Sequence, residues 1–228
     1  MTPERSLIYM DHAATTPARP EVVEAMLPYL HDRFGNPSSI YSIARESKKV
    51  VESARVTIAR SLGAEPSEIF FTSGGTESDN WALKGIAYAN RKKGDHIITS
   101  AIEHHAVLYP AEYLEKQGFH VTYMPVDPTG LVDPGMIEDA ITDRTILISI
   151  MTANNEIGTV EPIREIGSIA RSHGIPFHTD AVQAVGHIPI SVKEDKLTLL
   201  SMSAHKFYGP KGMGALYIRK GTRIDPLL

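Results

Sequence analysis

The 228-residue sequence contains no cysteine. That excludes disulfide bonds and thiolate metal sites within the chain, and it leaves these residues without a thiol nucleophile. No stretch approaches the roughly 18 apolar residues of a membrane span. Met1-Thr2-Pro3-Glu4-Arg5-Ser6 lacks the apolar core of a signal peptide, so a cytoplasmic location with no membrane partner is expected. Neither an HExxH motif nor a CxxC pair accompanies the ten histidines, which argues against a metal centre even at the adjacent His104-His105. The net charge of -4 gives no basic surface for nucleic acid. There is no internal repeat and no low-complexity linker, which favours one domain. A chain of this size buries roughly 70% of its unfolded-state surface, as expected of a soluble globular protein.

Against these absences, the most telling stretch is Leu199-Leu200-Ser201-Met202-Ser203-Ala204-His205-Lys206. It reads as an apolar strand that ends in small and polar residues and presents Lys206 at a sheet edge. There an amine can form a Schiff base with an aldehyde cofactor. Upstream, Ile175-Pro176-Phe177-His178-Thr179 reads as a second strand delivering Asp180, followed by Gln183. A carboxylate in that position can keep a pyridine nitrogen protonated.

A third element is a phosphate-binding turn. The β-prone Ile69-Phe70-Phe71-Thr72 runs into Ser73-Gly74-Gly75-Thr76-Glu77-Ser78 and then a helical pattern through Trp81, Leu83, Ile86 and Ala87. Glycines let backbone amides approach a phosphate, and the following helix N-terminus favours its charge. Gly75 and Thr76 are the phosphate candidates, with Thr76 as a plain helix N-cap the alternative. A lone lysine is ordinarily a solvated charge and a strand-end aspartate ordinarily a cap. It is their combination with this turn that carries weight.

Strands are expected near 69–72, 96–100, 119–124, 145–151, 175–179, 197–202 and 214–218. Helices are expected from Ile43 to Leu62, from Thr76 to Arg91, and from Pro162 onward with the proline in the first turn. In the first of these, Ile43, Val50, Ile58 and Leu62 are among the residues that repeat as a core stripe. The alternation predicts an α/β fold, a mainly parallel seven-stranded sheet with helices on both faces. In such sheets ligands collect at the carboxyl ends of strands, where all three candidate elements lie. His105 is expected to be structural or on the surface near a helix start, and His12 has no derivable chemical role.

Seven segments together resemble the class V aminotransferases, specifically cysteine desulfurases of the NifS and IscS type. They are Tyr9-Met10-Asp11-His12-Ala13-Ala14-Thr15-Thr16-Pro17, Phe34-Gly35-Asn36-Pro37-Ser38-Ser39, Thr72 to Asn80, Glu103-His104-His105-Ala106-Val107, Asn154-Asn155-Glu156-Ile157-Gly158, His178 to Gln183, and Ser203 to Gly212. The resemblance implies the large domain of a fold type I transferase dependent on pyridoxal 5'-phosphate. It implies that Lys206 holds the cofactor aldehyde, Asp180 pairs with the ring nitrogen, and His104 stacks on the ring and moves protons. It further implies that Gln183 bonds the ring hydroxyl, that Asn155 lies beside that hydroxyl and the substrate carboxylate, and that Thr76, Ser203, His205 and the Gly75 backbone hold the phosphate. Each role suits its side chain.

Such enzymes act on L-cysteine, leaving alanine and an enzyme persulfide for iron-sulfur assembly or other sulfur transfer. The resemblance implies a homodimer, with an iron-sulfur scaffold or another sulfur acceptor as partner. The departure is the missing thiol: a desulfurase uses a mobile-loop cysteine from its C-terminal part. The resemblance also implies that residues 1–15 belong with a smaller domain and that residues 16–228 form the cofactor domain, incomplete at its C-terminal end and expected to be poorly soluble or tightly associated alone. A separate C-terminal half would supply the rest, and this chain alone would not desulfurate. Alternatives are a non-catalytic interaction protein, another class V enzyme such as a selenocysteine lyase or aminotransferase, and a Schiff-base aldolase without cofactor, which would leave the phosphate turn idle.

Overall fold

The computed structural model describes residues 8–227. Seven strands form one sheet: β1 (Ile69–Thr72), β2 (His96–Ser100), β3 (His120–Met124), β4 (Thr145–Ser149), β5 (Phe177–Asp180), β6 (Leu199–Ser203) and β7 (Gly214–Ile218). Their spatial order is β1-β7-β6-β5-β4-β2-β3. The pairs from β6 through β3 are parallel, whereas β7 runs antiparallel to both neighbours. β2, β4, β5 and β6 are buried along their whole length, as expected of runs such as Thr-Ile-Leu-Ile-Ser that are covered on both faces.

Alternation within each strand divides the core. Ile97, Leu147, Leu199 and Leu216 pack with Ala82, Leu83 and Ile86 of α3 (Gly75–Asn90) and Val107 and Leu114 of α4 (His105–Lys116). The alternate residues Ile98, Ile148, Leu200, Met202 and Tyr217 pack on the other side. There they meet Ile137 of α5 (Pro134–Ala140), Ile166 and Ala170 of α6 (Ile163–Ser172), and Ala59 and Leu62 of α2 (Ser42–Leu62). The opposite destinations of Leu199 and Leu200 follow from the two-residue period of a strand.

The expected strands are all present, some trimmed at the ends: β4 stops at Ser149, and β5 begins at Phe177, beyond Pro176. Three expectations need correction. Pro162 is the N-cap of α6 rather than part of its first turn. Thr76 does not cap α3, because the helix already starts at Gly75, with Gly74 as N-cap. In α2 the expected core stripe holds in part: Ile43 and Val50 are exposed, while Ser47 and Leu62 are buried and Ile58 packs against the core. Gly63, in the left-handed region at φ 70°, ends that helix.

α1 (Pro20–His31) and α5 were not expected from the sequence, and of α4 only its start near His105 was. α1 has no buried residue, so no apolar stripe with a core partner marks it. Among the described residues, no helix is long and apolar enough to cross a membrane.

Candidate active site

β1, β2, β4, β5 and β6 end on the same edge of the sheet, and each hands over to a segment that carries a polar group. The result is a cavity of about 780 Å³ lined by all nine candidate residues: Gly75, Thr76, His104, Asn155, Asp180, Gln183, Ser203, His205 and Lys206. Because β7 runs in the opposite direction, its first residue, Gly214, reaches this edge between Thr72 and Ser203. A Cβ on Gly214 would lie 2.6 Å from the Gly74 Cα, so only glycine lets the turn settle against the sheet here.

One end of the cavity suits an anion. The amides of the first α3 turn have no intrahelical acceptor and carry the positive end of the helix dipole. A Cβ on Gly75 would fall 2.5 Å from Val182 Cγ2, so this first residue must be small for α3 to approach the segment after β5. Thr76, Ser203 and His205 add hydroxyl and imidazole groups to the lining. The Glu77 carboxylate is occupied elsewhere. Its Oε2 accepts from Ser73 N at 2.6 Å, and hydrogen bonding to Ser73 keeps its carboxyl below the usual range.

Deeper in, Asp180 closes β5. Its Oδ1 accepts from Val182 N at 2.9 Å, and burial raises its pKa to about 7, with the neighbouring Asp79 carboxylate adding to the rise. A carboxyl so placed gains from a cation in the cavity. Lys206 stands in the short 3-10 turn Ala204–Lys206 that follows β6. Its Nζ donates to the Ala13 and Ala14 carbonyls, the latter at 2.9 Å. Burial lowers its pKa, a shift opposed by Asp180 and Asp11. Burial also lowers His205, helped by the charges of Lys206 and Lys211.

The remaining lining residues are fixed by neighbours. His104 is the N-cap of α4, its Nδ1 accepting from Ala106 N at 3.0 Å, so a proton on the neutral ring sits on Nε2. Asn154 braces the loop after β4 by accepting from Glu156 N and Ile157 N, and adjacent Asn155 lines the cavity. Gln183 Nε2 donates to Ala13 O at 2.8 Å.

A model of the class-V aminotransferase family matches residues 8–228. The chain belongs to that family. It is 65% identical over 225 residues to the cysteine desulfurase IscS of Methanosarcina thermophila, covering 99% of this chain and 56% of that protein. It is 62% identical over 221 residues to the cysteine desulfurase IscS of a Clostridium botulinum strain, covering 97% of this chain and 56% of that protein. Among solved structures, SspA in complex with cysteine matches with a TM-score of 0.95 at 45% identity, covering 97% of this chain and 65% of that one. A NifS-like protein matches with a TM-score of 0.95 at 44% identity, covering 97% and 61%. The chain thus spans little more than half the length of the curated relatives it matches.

Class-V aminotransferases depend on pyridoxal 5'-phosphate, and the cavity fits that group. It has an amine for the aldehyde, a buried carboxyl whose raised pKa calls for a cation, and a helix N-terminus with hydroxyls for the phosphate. The segment 11–16 bears the family likeness and was expected, up to residue 15, to go with a smaller domain, with no part in the site; it reaches the site. Thr15 Oγ1 is hydrogen-bonded to His205 Nδ1 at 3.0 Å, and Thr16 Oγ1 donates to His205 O at 2.9 Å while accepting from Tyr208 N at 2.7 Å. The sequence did not single out Gly214 or Asp79 either. The signal for Asp79 was a charged residue on the core side of a helix, at i−3 and i−4 from Ala82 and Leu83.

Proposed function

We propose that this chain forms the cofactor-binding part of a cysteine desulfurase that removes sulfur from L-cysteine and leaves L-alanine. The observation that carries the reading is the convergence of Lys206, Asp180 and the α3 N-terminus in one cavity. The 61–65% identity to cysteine desulfurases supports the substrate, as does the cysteine held by the structural relative.

Pyridoxal 5'-phosphate supplies an aldehyde and an electron-withdrawing ring that weakens bonds at the substrate's Cα. Lys206 offers the amine that the aldehyde requires, with a pKa shifted toward neutrality by burial. Asp180 would hold positive charge on the ring nitrogen. Gly75, Thr76, Ser203 and His205 would hold the phosphate, and Gln183 the ring oxygen. Asn155 would serve that oxygen and the substrate carboxylate. His104 would stack on the ring and, with Nδ1 tied to Ala106 N, move protons through Nε2.

The sulfur acceptor is a cysteine outside these 228 residues, since none of them is a cysteine. Alone, therefore, this chain binds L-cysteine without releasing sulfide. A homodimer, a sulfur-accepting or iron-sulfur scaffold partner, a complementary C-terminal half and a cytoplasmic setting complete the proposal. So does a smaller domain to which residues 1–15 contribute.

Borohydride reduction of the cofactor-loaded chain, followed by peptide mass spectrometry, tests the site. The phosphopyridoxyl group is expected on the peptide that contains Lys206, and labelling elsewhere or nowhere contradicts it. A second reading, an interaction protein, is favoured by α1, whose Val23, Met26, Leu27 and Leu30 are all exposed. Failure to retain the cofactor would bring that reading forward.

A further inference from the structure

Three carboxyls are buried together beneath the cavity: Asp79 on α3, Glu103 after β2 and Asp180 at the end of β5. They lie on the α3 side of the sheet, where the apolar Leu147 and Leu199 give way two residues later to Ser149 and Ser201. His178, two residues before Asp180 on the same strand, shares this layer.

Asp180 has surroundings that suit an ion: it takes an amide hydrogen from Val182, lines the cavity and faces Lys206 across it. Asp79 also lines the cavity, but among the described residues no donor makes a well-formed hydrogen bond to either of its enclosed oxygens. Its polar neighbours are the Ser201 hydroxyl, which only partly offsets the effect of burial, and His178 Nε2, 3.5 Å from Oδ1. That nitrogen is already hydrogen-bonded to Ser201 Oγ at 3.0 Å, and Nδ1 to Ser149 Oγ at 2.8 Å. Two hydroxyls serve a neutral imidazole in either tautomer, so nothing here requires an imidazolium. Burial holds the ring neutral, with its pKa lowered to about 4.

An enclosed carboxylate without well-formed hydrogen bonds is strongly disfavoured relative to its acid. Burial accordingly raises the Asp79 pKa to about 7. Glu103 has donors at one oxygen only. Its Oε1 accepts from Ser100 Oγ and Met151 N, its Oε2 has no partner, and burial raises its pKa well above the usual range. The charged and titratable groups that face Asp180 are therefore Asp79, Glu103, His178, His104 and Lys206. A second carboxylate among them would hold a proton on Asp180 and cancel its attraction for a ring cation.

We propose that Asp79 is a positioning residue: it gives up its proton only after Asp180 and so leaves Asp180 as the first carboxyl to ionise for the cofactor's ring nitrogen. The assignment rests on the pyridoxal phosphate reading for its purpose, but the order of ionisation belongs to the chain itself. The two aspartates lose their protons in sequence, Asp180 first, and Asp79 only against the charge already present.

Carbon-13 NMR of carboxyl-labelled aspartate in the cofactor-free 228-residue chain reads that order directly. The Asp180 signal is expected to titrate before the Asp79 signal. Asp180→Asn should lower the Asp79 midpoint by about one unit, since one unit reflects a modest charge interaction. Asp79→Asn should lower the Asp180 midpoint by less than Asp180→Asn lowers that of Asp79, because the group that ionises first meets little of its neighbour's charge. With nitrogen-15 pyridoxal phosphate bound, the ring nitrogen should remain protonated at pH 7 in Asp79→Asn and lose its proton in Asp180→Asn.

An Asp79 signal that ionises before Asp180 overturns the proposal, as does loss of ring protonation in Asp79→Asn. A purely structural Asp79 would show no response to Asp180→Asn. If no Lys206-dependent cofactor band forms, the cofactor reading fails, and the carboxyl titration still decides the order of ionisation.

Discussion

The amine of Lys206 donates to the Ala14 carbonyl at 2.9 Å, so the N-terminal segment holds the group on which the site depends. A main-chain carbonyl orients an ammonium group without adding a full charge to stabilise it, and burial therefore prevails in lowering the Lys206 pKa. The rate of cofactor attachment should rise with pH, with a midpoint below the usual lysine value of about 10.4. Stopped-flow absorbance reads this, and a midpoint at or above that value contradicts it.

Gly75→Ala tests the close approach of α3 to the segment after β5. The added methyl falls 2.5 Å from Val182 Cγ2, and either the helix start or Val182 must move. Overpacking of this kind costs about 1–3 kcal/mol. Cofactor affinity should fall by roughly tenfold or more, because about 1.4 kcal/mol lost at the phosphate end already gives that factor. A titration followed by fluorescence would show it, and unchanged affinity would mean that the amides at this turn do not hold the phosphate.

The convergence of Lys206, Asp180 and Gly75-Thr76 was legible because each stands where a β-prone run gives way to small or polar residues. The strand alternation then fixed which edge they share. The burial of Asp79 was not legible in the same way. A single acidic residue in a helical pattern looks solvated until the sheet beneath it is known. The contacts of Thr15 and Thr16 were equally hidden, because they join residues about 190 positions apart. α1 has no buried residue, although Val23, Met26, Leu27 and Leu30 repeat at helical spacing, and the stripe on α2 overstated its own burial for a related reason: a helix can keep its periodicity beyond the edge of the sheet it packs on.

Thr16→Val should loosen the latch between the N-terminal segment and the lysine turn. The buried hydroxyl donates to His205 O and accepts from Tyr208 N. Removing it leaves Tyr208 N without an acceptor, at a cost of about 1–3 kcal/mol, while His205 O keeps the Thr16 amide at 2.8 Å. Urea denaturation should show that loss together with faster cofactor release. An unchanged midpoint would mean that the segment is not coupled to the site.

Asp79→Asn should alter stability in a pH-dependent way. A carboxyl whose folded pKa is raised contributes stability that is fully present below its unfolded value, about 3.9, and is lost as pH rises through about 7. Asparagine does not titrate, so the variant gains on the original chain across that window, by at least about 1 kcal/mol between pH 4 and pH 8. His178 works in the opposite sense, its stability contribution falling away as pH drops from about 6.5 toward about 4, but it is present in both chains and largely cancels. Paired thermal melts at the two pH values check the sign, and a gap that narrows with rising pH contradicts it.

The most direct measurement is the absorbance spectrum of the chain with pyridoxal 5'-phosphate, beside Lys206→Ala, before and after addition of L-cysteine. The expected result is a visible band that depends on Lys206, shifts with L-cysteine, and yields no sulfide because no thiol is present among these residues. A band that persists in Lys206→Ala, or no band in either chain, would contradict the assignment of this cavity as the cofactor site.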